Sequence, residues 1–401
     1  MRILFIYRHV CPDAPPYATM LCCLGAGLAA AGHEVEIWSE QPTGGGDRPP
    51  DALPREVRDG VVVRRVARLP LWRRSAAVRW LDRLLFPARM LARSLLVRLS
   101  GRRFDIVLSA TAPAVVNGVF ARMSAGVLGA RFLYHCQDIH PELGARAGLW
   151  RRRSVRHRIL LWLDAWACAG ADRLIVPSRD MRAALDARRA GGTPVEVIGN
   201  FAPDPPKRLS PRAPGGTRLT AIFAGNTGRF QDIGALADAA RHLAGDPRIE
   251  LVVMGDGAAF GELKRRTRDL PNVRILPRRP LPEALAVIAG ADIGIVSLLP
   301  GLTAVACPSK TLTYLALGVP VVAALDRHSE YFQDIAAAGA GIVAAGPGGR
   351  ELARALSGIC DRRDRLPAMR RRARALYRRE FSGAAATGRW LELIERAGAP
   401  R

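Results

Sequence analysis

Three short segments in the second half of this 401-residue chain end an apolar run in glycine or small polar residues: FAGNTGR at 223–229, VMGDGA at 253–258 and CPSKT at 307–311. A strand that stops in glycine and turns into a helix presents bare backbone N–H groups at the helix N-terminus, which suits a phosphate. In CPSKT, Pro308 enters the first turn without losing a hydrogen bond, and Ser309 can cap it. Lys310 then sets an ammonium beside the positive end of the helix dipole, which is favourable only when something negative lies between them. A pyrophosphate would fill that place. In the first half, QDIHP at 137–141 follows the apolar run FLYHC and offers Asp138 and His140, with His135 just upstream. A lone histidine near a strand end is more often structural than catalytic, and Glu142 can cap the following turn.

These segments need a scaffold that delivers strand ends to one edge. RILFIY at the start reads as a buried strand, followed by a loop, the small-residue helix LCCLGAGLAAAG ending at Gly32, and the strand EVEIWS. This β-loop-α-β unit begins a parallel sheet, and FDIVLSATAP, ARFLYHCQD and ADRLIVPS repeat its strand-then-loop pattern. The stretch 194–218 is dense in Pro and Gly and, beyond Asn200, has the composition of a linker. After it LTAIFAGN, IELVVMGDG, NVRILP, ADIGIVSL and VPVVAA read as strands separated by helices. The expected fold is α/β: two doubly wound Rossmann-like domains facing a cleft, at residues 1–200 and 201–380.

Composition narrows the partners. The chain is 49% hydrophobic and 24% charged, and so globular, and its seven cysteines include no CxxC pair, so neither a disulfide framework nor a zinc site is indicated. No apolar run reaches the roughly 18 residues that a spanning helix needs, and MRILFIYRHV is broken by Arg8 and His9 without a cleavage site. A cytoplasmic protein is expected. The formal net charge of +24 calls for a partner carrying negative charge. Part of it lies in the segment 69–103, where Arg73, Arg74, Arg79, Arg83, Arg89, Arg93 and Arg98 alternate with Trp, Leu and Phe, and Asp82 is the only acid. That pattern suits a basic amphipathic helix in a membrane interface, with a solvated helix packed on a core as the alternative, and Pro87 is expected to split it in two.

The order FAGNTGRFQDIGALADAA, LVVMGDGAAFGELKRR, NVRILPRRPLPEALAVIAGADIGIVSL and PSKTLTYLALGVPVVA resembles the glycosyltransferase family 4 enzymes, which are retaining nucleotide-sugar transferases of the GT-B fold. AAAGHEVEIWS and YHCQDIHPE are similar to that family's Gly-His-x-Val entry and Asp-x-x-Pro-Glu segment, and the likeness is greatest to aminosugar transferases of surface-polysaccharide synthesis. The resemblance implies a UDP-sugar donor on the second domain. It would lie along Gly225, Asn226, Gly228, Arg229, Ser309, Lys310 and Thr313, with the nucleotide near Gly255, Asp256 and Gly257. It also implies that the last helix, within 381–401, crosses back to the first domain. Thr313 and Val305 stand where many members carry a Glu-x7-Glu pair, and Asn226 and Gln231 where an Arg and a Lys are frequent.

Glycosyl transfer develops positive charge at the anomeric carbon and negative charge on the leaving diphosphate, so cations are needed on one side and a carboxylate or polar anchor on the other. Asp138, His140 and Lys310 are the catalytic candidates. No Asp-x-Asp occurs for a metal–diphosphate bridge, and there is no HExxH, Ser-His-Asp order or GxxxxGK[ST]. No cofactor or metal is expected. The reading is a UDP-sugar transferase acting on a lipid-linked saccharide, peripherally associated with the anionic inner face of the plasma membrane, with no nucleic-acid partner. The rival is a basic binding protein that kept the fold and lost catalysis, for which the missing glutamates and the charge speak.

Overall fold

The structure is a computed structural model and describes residues 1–12, 16–42, 53–67, 76–188, 192–206, 218–228 and 230–399. Arg229, most of the Pro-rich linker, and Trp72, Arg73 and Arg74 of the basic segment lie outside the described residues, as do the side chains at 76, 77, 79 and 80. The chain divides into two compact units, Met1–Pro203 with Gly383–Arg401, and Asp204–Ser382.

The first unit is built on β1 (Arg2–Ile6), β2 (Glu34–Glu40), β3 (Arg55–Arg58), β4 (Val61–Val66), β5 (Ile106–Ala110), β6 (Arg131–His135), β7 (Arg173–Val176) and β8 (Val195–Val197). They form one sheet in the order β3-β4-β2-β1-β5-β6-β7-β8, parallel except for the edge strand β3. Central strands such as β1 and β5 are buried on both faces, which is why they read as continuous apolar runs rather than alternating ones. Chain order reverses between β1 and β5, and the crevice of such a sheet opens at the carboxyl ends of those strands.

Pro87 does not split the basic segment. One helix, Ala76–Leu99, runs through it. The loss of one backbone hydrogen bond, about 3 kcal/mol in a helix interior, is offset by the fully buried Phe86 and Met90 on either side of the proline. The segment's single acid is also internal: Asp82 is buried and bonds the Arg8 guanidinium, which donates to Glu40 at 2.6 Å as well. A second buried acid, Glu36, holds Arg64 at 2.7 Å and Arg102 at 2.8 Å. Some of the arginine excess is thus structural.

The helix Gly383–Gly398 packs within the first unit, burying Trp390, Leu393 and Ile394 in its core. It lies against the helix Pro16–Ala30 so closely that a Cβ on Gly27 would stand 2.6 Å from the Thr387 side chain. The GAG of that first helix is therefore a packing surface.

The second unit holds β9 (Leu219–Ala224), β10 (Ile249–Gly255), β11 (Val273–Pro277), β12 (Ile293–Ser297), β13 (Val321–Ala324) and β14 (Gly341–Val343), all parallel, in the order β11-β10-β9-β12-β13-β14. This is the doubly wound order with its switch point between β9 and β12.

Candidate active site

In the second unit the glycine turns converge at the carboxyl ends of β9 and β10. Gly225 N donates to Met254 O at 2.9 Å, Thr227 N and Oγ1 both donate to Asp256 O, at 2.7 and 2.9 Å, and Ala259 N donates to Thr227 O at 3.1 Å. The two loops are thus laced together by backbone. Gly255 has φ +154° and a Cβ there would lie 2.0 Å from Gly225 O; on Gly257, at φ +128°, it would lie 2.2 Å from the Asn226 side chain. These two glycines are required by loop-on-loop packing, a role beside the nucleotide contact that the resemblance implies for them. Gly228 has no such constraint: its nearest neighbour would be Asn226 Nδ2 at 3.4 Å. The Asp256 side chain is exposed and pairs with Arg278 at 3.2 Å.

Lys310 begins the helix Lys310–Ala316, and its ammonium turns back under the β9 loop. Nζ lies 3.4 Å from the centroid of the Phe223 ring and donates to Gln231 Oε1 at 2.9 Å, and Gln231 N in turn donates to Gly228 O at 3.2 Å. Among the described residues no carboxylate pairs with Lys310. Burial alone holds its pKa well below the ordinary lysine value. Ser309 is exposed and its side chain makes no capping bond, so the expected cap is absent; the first turn closes instead through Thr311 N and Leu312 N onto Pro308 O and Ser309 O. Thr313, one turn beyond Lys310, is half-buried, and Val305 is buried.

The helix is pinned by Tyr314, whose role the sequence reading missed. Its hydroxyl accepts from Ala224 N at 2.8 Å and donates to Ile222 O at 3.3 Å, and its ring fills the space that a side chain on Gly294 of β12 would need. A tyrosine set between Leu312 and Leu315 was the available signal, because a buried hydroxyl needs a partner. Asp326 organises the preceding loop, accepting from Gly301 N at 2.8 Å and from Thr303 Oγ1 at 2.9 Å.

In the first unit, Gln137 and Asn200 form a reciprocal amide pair, at 2.8 and 2.7 Å, that ties the end of β6 to the chain after β8. His135 is fully buried between Tyr17 and Trp390, bonded to Tyr17 Oη at 3.0 Å and Gln137 Nε2 at 2.6 Å. Burial pushes it down to about 3, so it is a neutral structural group. Asp138 is half-buried; its N–H donates to Thr111 Oγ1 at 3.3 Å, and desolvation raises its carboxyl to about 6. His140 is lowered to about 4 by burial, and its carbonyl accepts from Arg188 at 2.7 Å. Arg188 also binds Glu142 at 3.1 Å and Asp164, so Glu142 is an ion-pair partner as well as a first-turn acid. Nothing in the spacing pointed to Arg188, which stands at the far end of the helix Arg179–Arg188. Among the described residues no three His, Cys, Asp or Glu side chains are grouped so as to hold a metal ion.

Residues 17–201 match the glycosyl transferase 4-like domain and residues 218–362 the glycosyl transferases group 1 domain. A curated relative, the probable glycosyltransferase WbjE of Pseudomonas aeruginosa, is 28% identical over 271 residues, covering 65% of this chain and 67% of its own. Sucrose-phosphate synthase from Thermosynechococcus elongatus shares the fold with a TM-score of 0.77 at 16% identity, over 98% of each chain. HepE of Anabaena, solved with UDP-glucose, gives 0.68 at 17% identity, over 99% of this chain and all of that one. WaaG, a glycosyltransferase involved in lipopolysaccharide biosynthesis, gives 0.64 at 15% identity, over 98% of this chain and 99% of that one. The chain has two parallel-sheet Rossmann-like α/β domains of the GT-B type, and its domain content makes it a glycosyltransferase.

Proposed function

We propose that the protein is a retaining transferase that moves a sugar, an N-acetylhexosamine by the resemblance above, from a UDP-sugar to a polyprenyl-diphosphate-linked saccharide in polysaccharide synthesis. The observation that carries the donor half is Lys310: a half-buried, desolvated ammonium at the carboxyl end of β9, with an aromatic face and one amide for partners and no counter-ion among the described residues. A charge held there without a carboxylate is costly until an anion arrives. In this reading the β-phosphate of UDP supplies that anion, and Lys310 stabilises the negative charge that grows on it as the anomeric C–O bond breaks. The acceptor hydroxyl takes the place of the diphosphate at the anomeric carbon, and its proton passes to the leaving diphosphate. Asp138, with a carboxyl near 6, is the polar anchor assigned to the acceptor.

The names of the relatives support the substrate class. HepE has been solved with UDP, with UDP and glucose, and with UDP-glucose, and WaaG acts in lipopolysaccharide biosynthesis. A lipid-linked acceptor would place the enzyme peripherally at the anionic inner face of the membrane; no described helix is long and apolar enough to cross one.

Calorimetric titration of UDP, with ADP and GDP as controls, tests the donor half. UDP-selective binding that weakens roughly 10- to 100-fold in Lys310→Ala, as for a lost charge-assisted bond, is the expected result. Absence of nucleotide binding would defeat the reading and favour a GT-B-fold binding protein.

A further inference from the structure

The helix Val155–Ala169 carries an apolar stripe that faces solvent. Val155, Ile159, Trp162 and Trp166 recur at spacings of four, three and four, which puts them in one row along about 16 Å of helix. They are 73, 54, 66 and 36% exposed. The opposite side of the helix is the packed one, with His157, Asp164, Ala167 and Cys168 buried. An exposed row with two tryptophans in a soluble helix marks an interaction surface.

We propose that this stripe is the docking surface for a bilayer carrying anionic headgroups, an inference that deepens the reading of a membrane-linked acceptor and rests on it for its biological sense. Charge selects the occupant. Arg151, Arg152 and Arg153 stand immediately before the helix and Arg158 within it, all exposed and without an ion pair among the described residues. Asp164 is the only acid between 151 and 169, and it points inward to Arg188. The outward face is therefore apolar and purely cationic, the pattern of a helix lying at the headgroup boundary with its tryptophans at the interface. A second copy of the chain docking isologously on the same stripe would bring these arginines against each other.

The platform is firm. Ser154 Oγ caps the helix by accepting from His157 N at 3.2 Å, and the Arg122 guanidinium stacks 3.8 Å over the Trp166 ring and donates to its carbonyl. Arg122 comes from the helix Val116–Leu128, which packs between Val155–Ala169 and the basic helix Ala76–Leu99. Leu84, Leu95, Leu96 and Leu99 of that last helix are also exposed, so the same helical layer carries further solvent-facing apolar side chains.

Co-sedimentation of the full chain with phosphatidylcholine vesicles, with and without phosphatidylglycerol, tests the assignment, and UDP titration is run on the same samples. The wild type is expected to partition onto the phosphatidylglycerol vesicles and scarcely onto phosphatidylcholine alone. Ile159→Ser/Trp162→Ser should lose roughly tenfold or more of that partition, with Trp162→Phe recovering most of it. UDP affinity unchanged in the variants shows that the chain is folded and that the loss is one of docking. Equal partition of wild type and double variant, or no preference for the anionic lipid, overturns the proposal; so does a wild-type dimer that the double variant abolishes while neither binds vesicles. Failure of UDP to bind any of the proteins, with the vesicle results as expected, would sink the donor reading and leave the docking surface standing.

Discussion

The two units share a doubly wound order about their first strands and treat charge at their strand ends differently. At the carboxyl edge of the first sheet most charged and amide groups are matched, Arg8 with Glu40 and Asp82, Gln137 with Asn200, His135 with Tyr17, Arg188 with Glu142 and Asp164, while the Asp138 carboxyl has no ion pair among the described residues. In the second, Lys310 is left with a ring and an amide. The surfaces differ as well: of the fifteen large hydrophobic side chains that are exposed among the described residues, only Leu281 and Ile342 belong to the second unit. One topology thus supports a network of paired charges with an outward apolar layer in one case and, in the other, a lysine with no carboxylate partner among the described residues, on which the donor proposal rests. Topology decides where side chains are delivered, and their identity decides whether they need a ligand.

Breaking the matched side should have the largest effect. Asp82→Ala leaves Arg8, itself buried, with one partner fewer, and a loss of about 3–5 kcal/mol in denaturant unfolding is expected for opening a buried charge pair. A loss below ~1 kcal/mol would mean that water replaces the carboxylate and that the scaffold is less closed than its burial implies.

Next comes the loop lacing of the second unit. Gly255→Ala should cost about 2–3 kcal/mol, through a positive φ and a clash with Gly225 O, and should weaken UDP binding as the two loops separate. Gly228→Ala, without either constraint, should change stability by no more than ~0.5 kcal/mol. Equal effects at the two positions would contradict the packing role given to Gly255.

Asp138→Asn is expected to stabilise the chain at neutral pH. Burial raises the carboxyl from 3.8 to about 6, so the ionised form is disfavoured in the folded state. That cost is absent below the unfolded value, grows between the two values and is complete above the folded one. Thermal or denaturant melts should therefore show a gain of about 1–3 kcal/mol at pH 7.5 that shrinks through pH 6 to 4 and vanishes by about pH 3. A gain independent of pH would show that charge is not its cause.

The smallest effect is on the unmatched side. Lys310→Met should add ~1 kcal/mol of stability without nucleotide, because it removes a desolvated charge, while abolishing the selective response to UDP. If the variant is less stable than wild type, Lys310 contributes to the fold through Phe223 and Gln231 and is not a cation held in reserve.

The sequence by itself determined the regular parts: central parallel strands as apolar runs and glycine turns at their ends. β4 alternates buried and half-buried residues beside the polar edge strand β3, and β8 and β14 are three residues each, too short for a periodic signal, so they become strands only through their neighbours. The same limit explains the helix through Pro87, which local chemistry would break and core packing at Phe86 and Met90 keeps whole. Only the tertiary structure decided that Gly255 and Gly257 serve packing, that His135 is neutral and enclosed, that Arg188 gathers the QDIHPE segment, and that Lys310 points at Phe223. Each of these depends on contacts between residues far apart in the chain. Burial, hydrogen-bond supply and close approach are set there, and no local pattern of residue types records them.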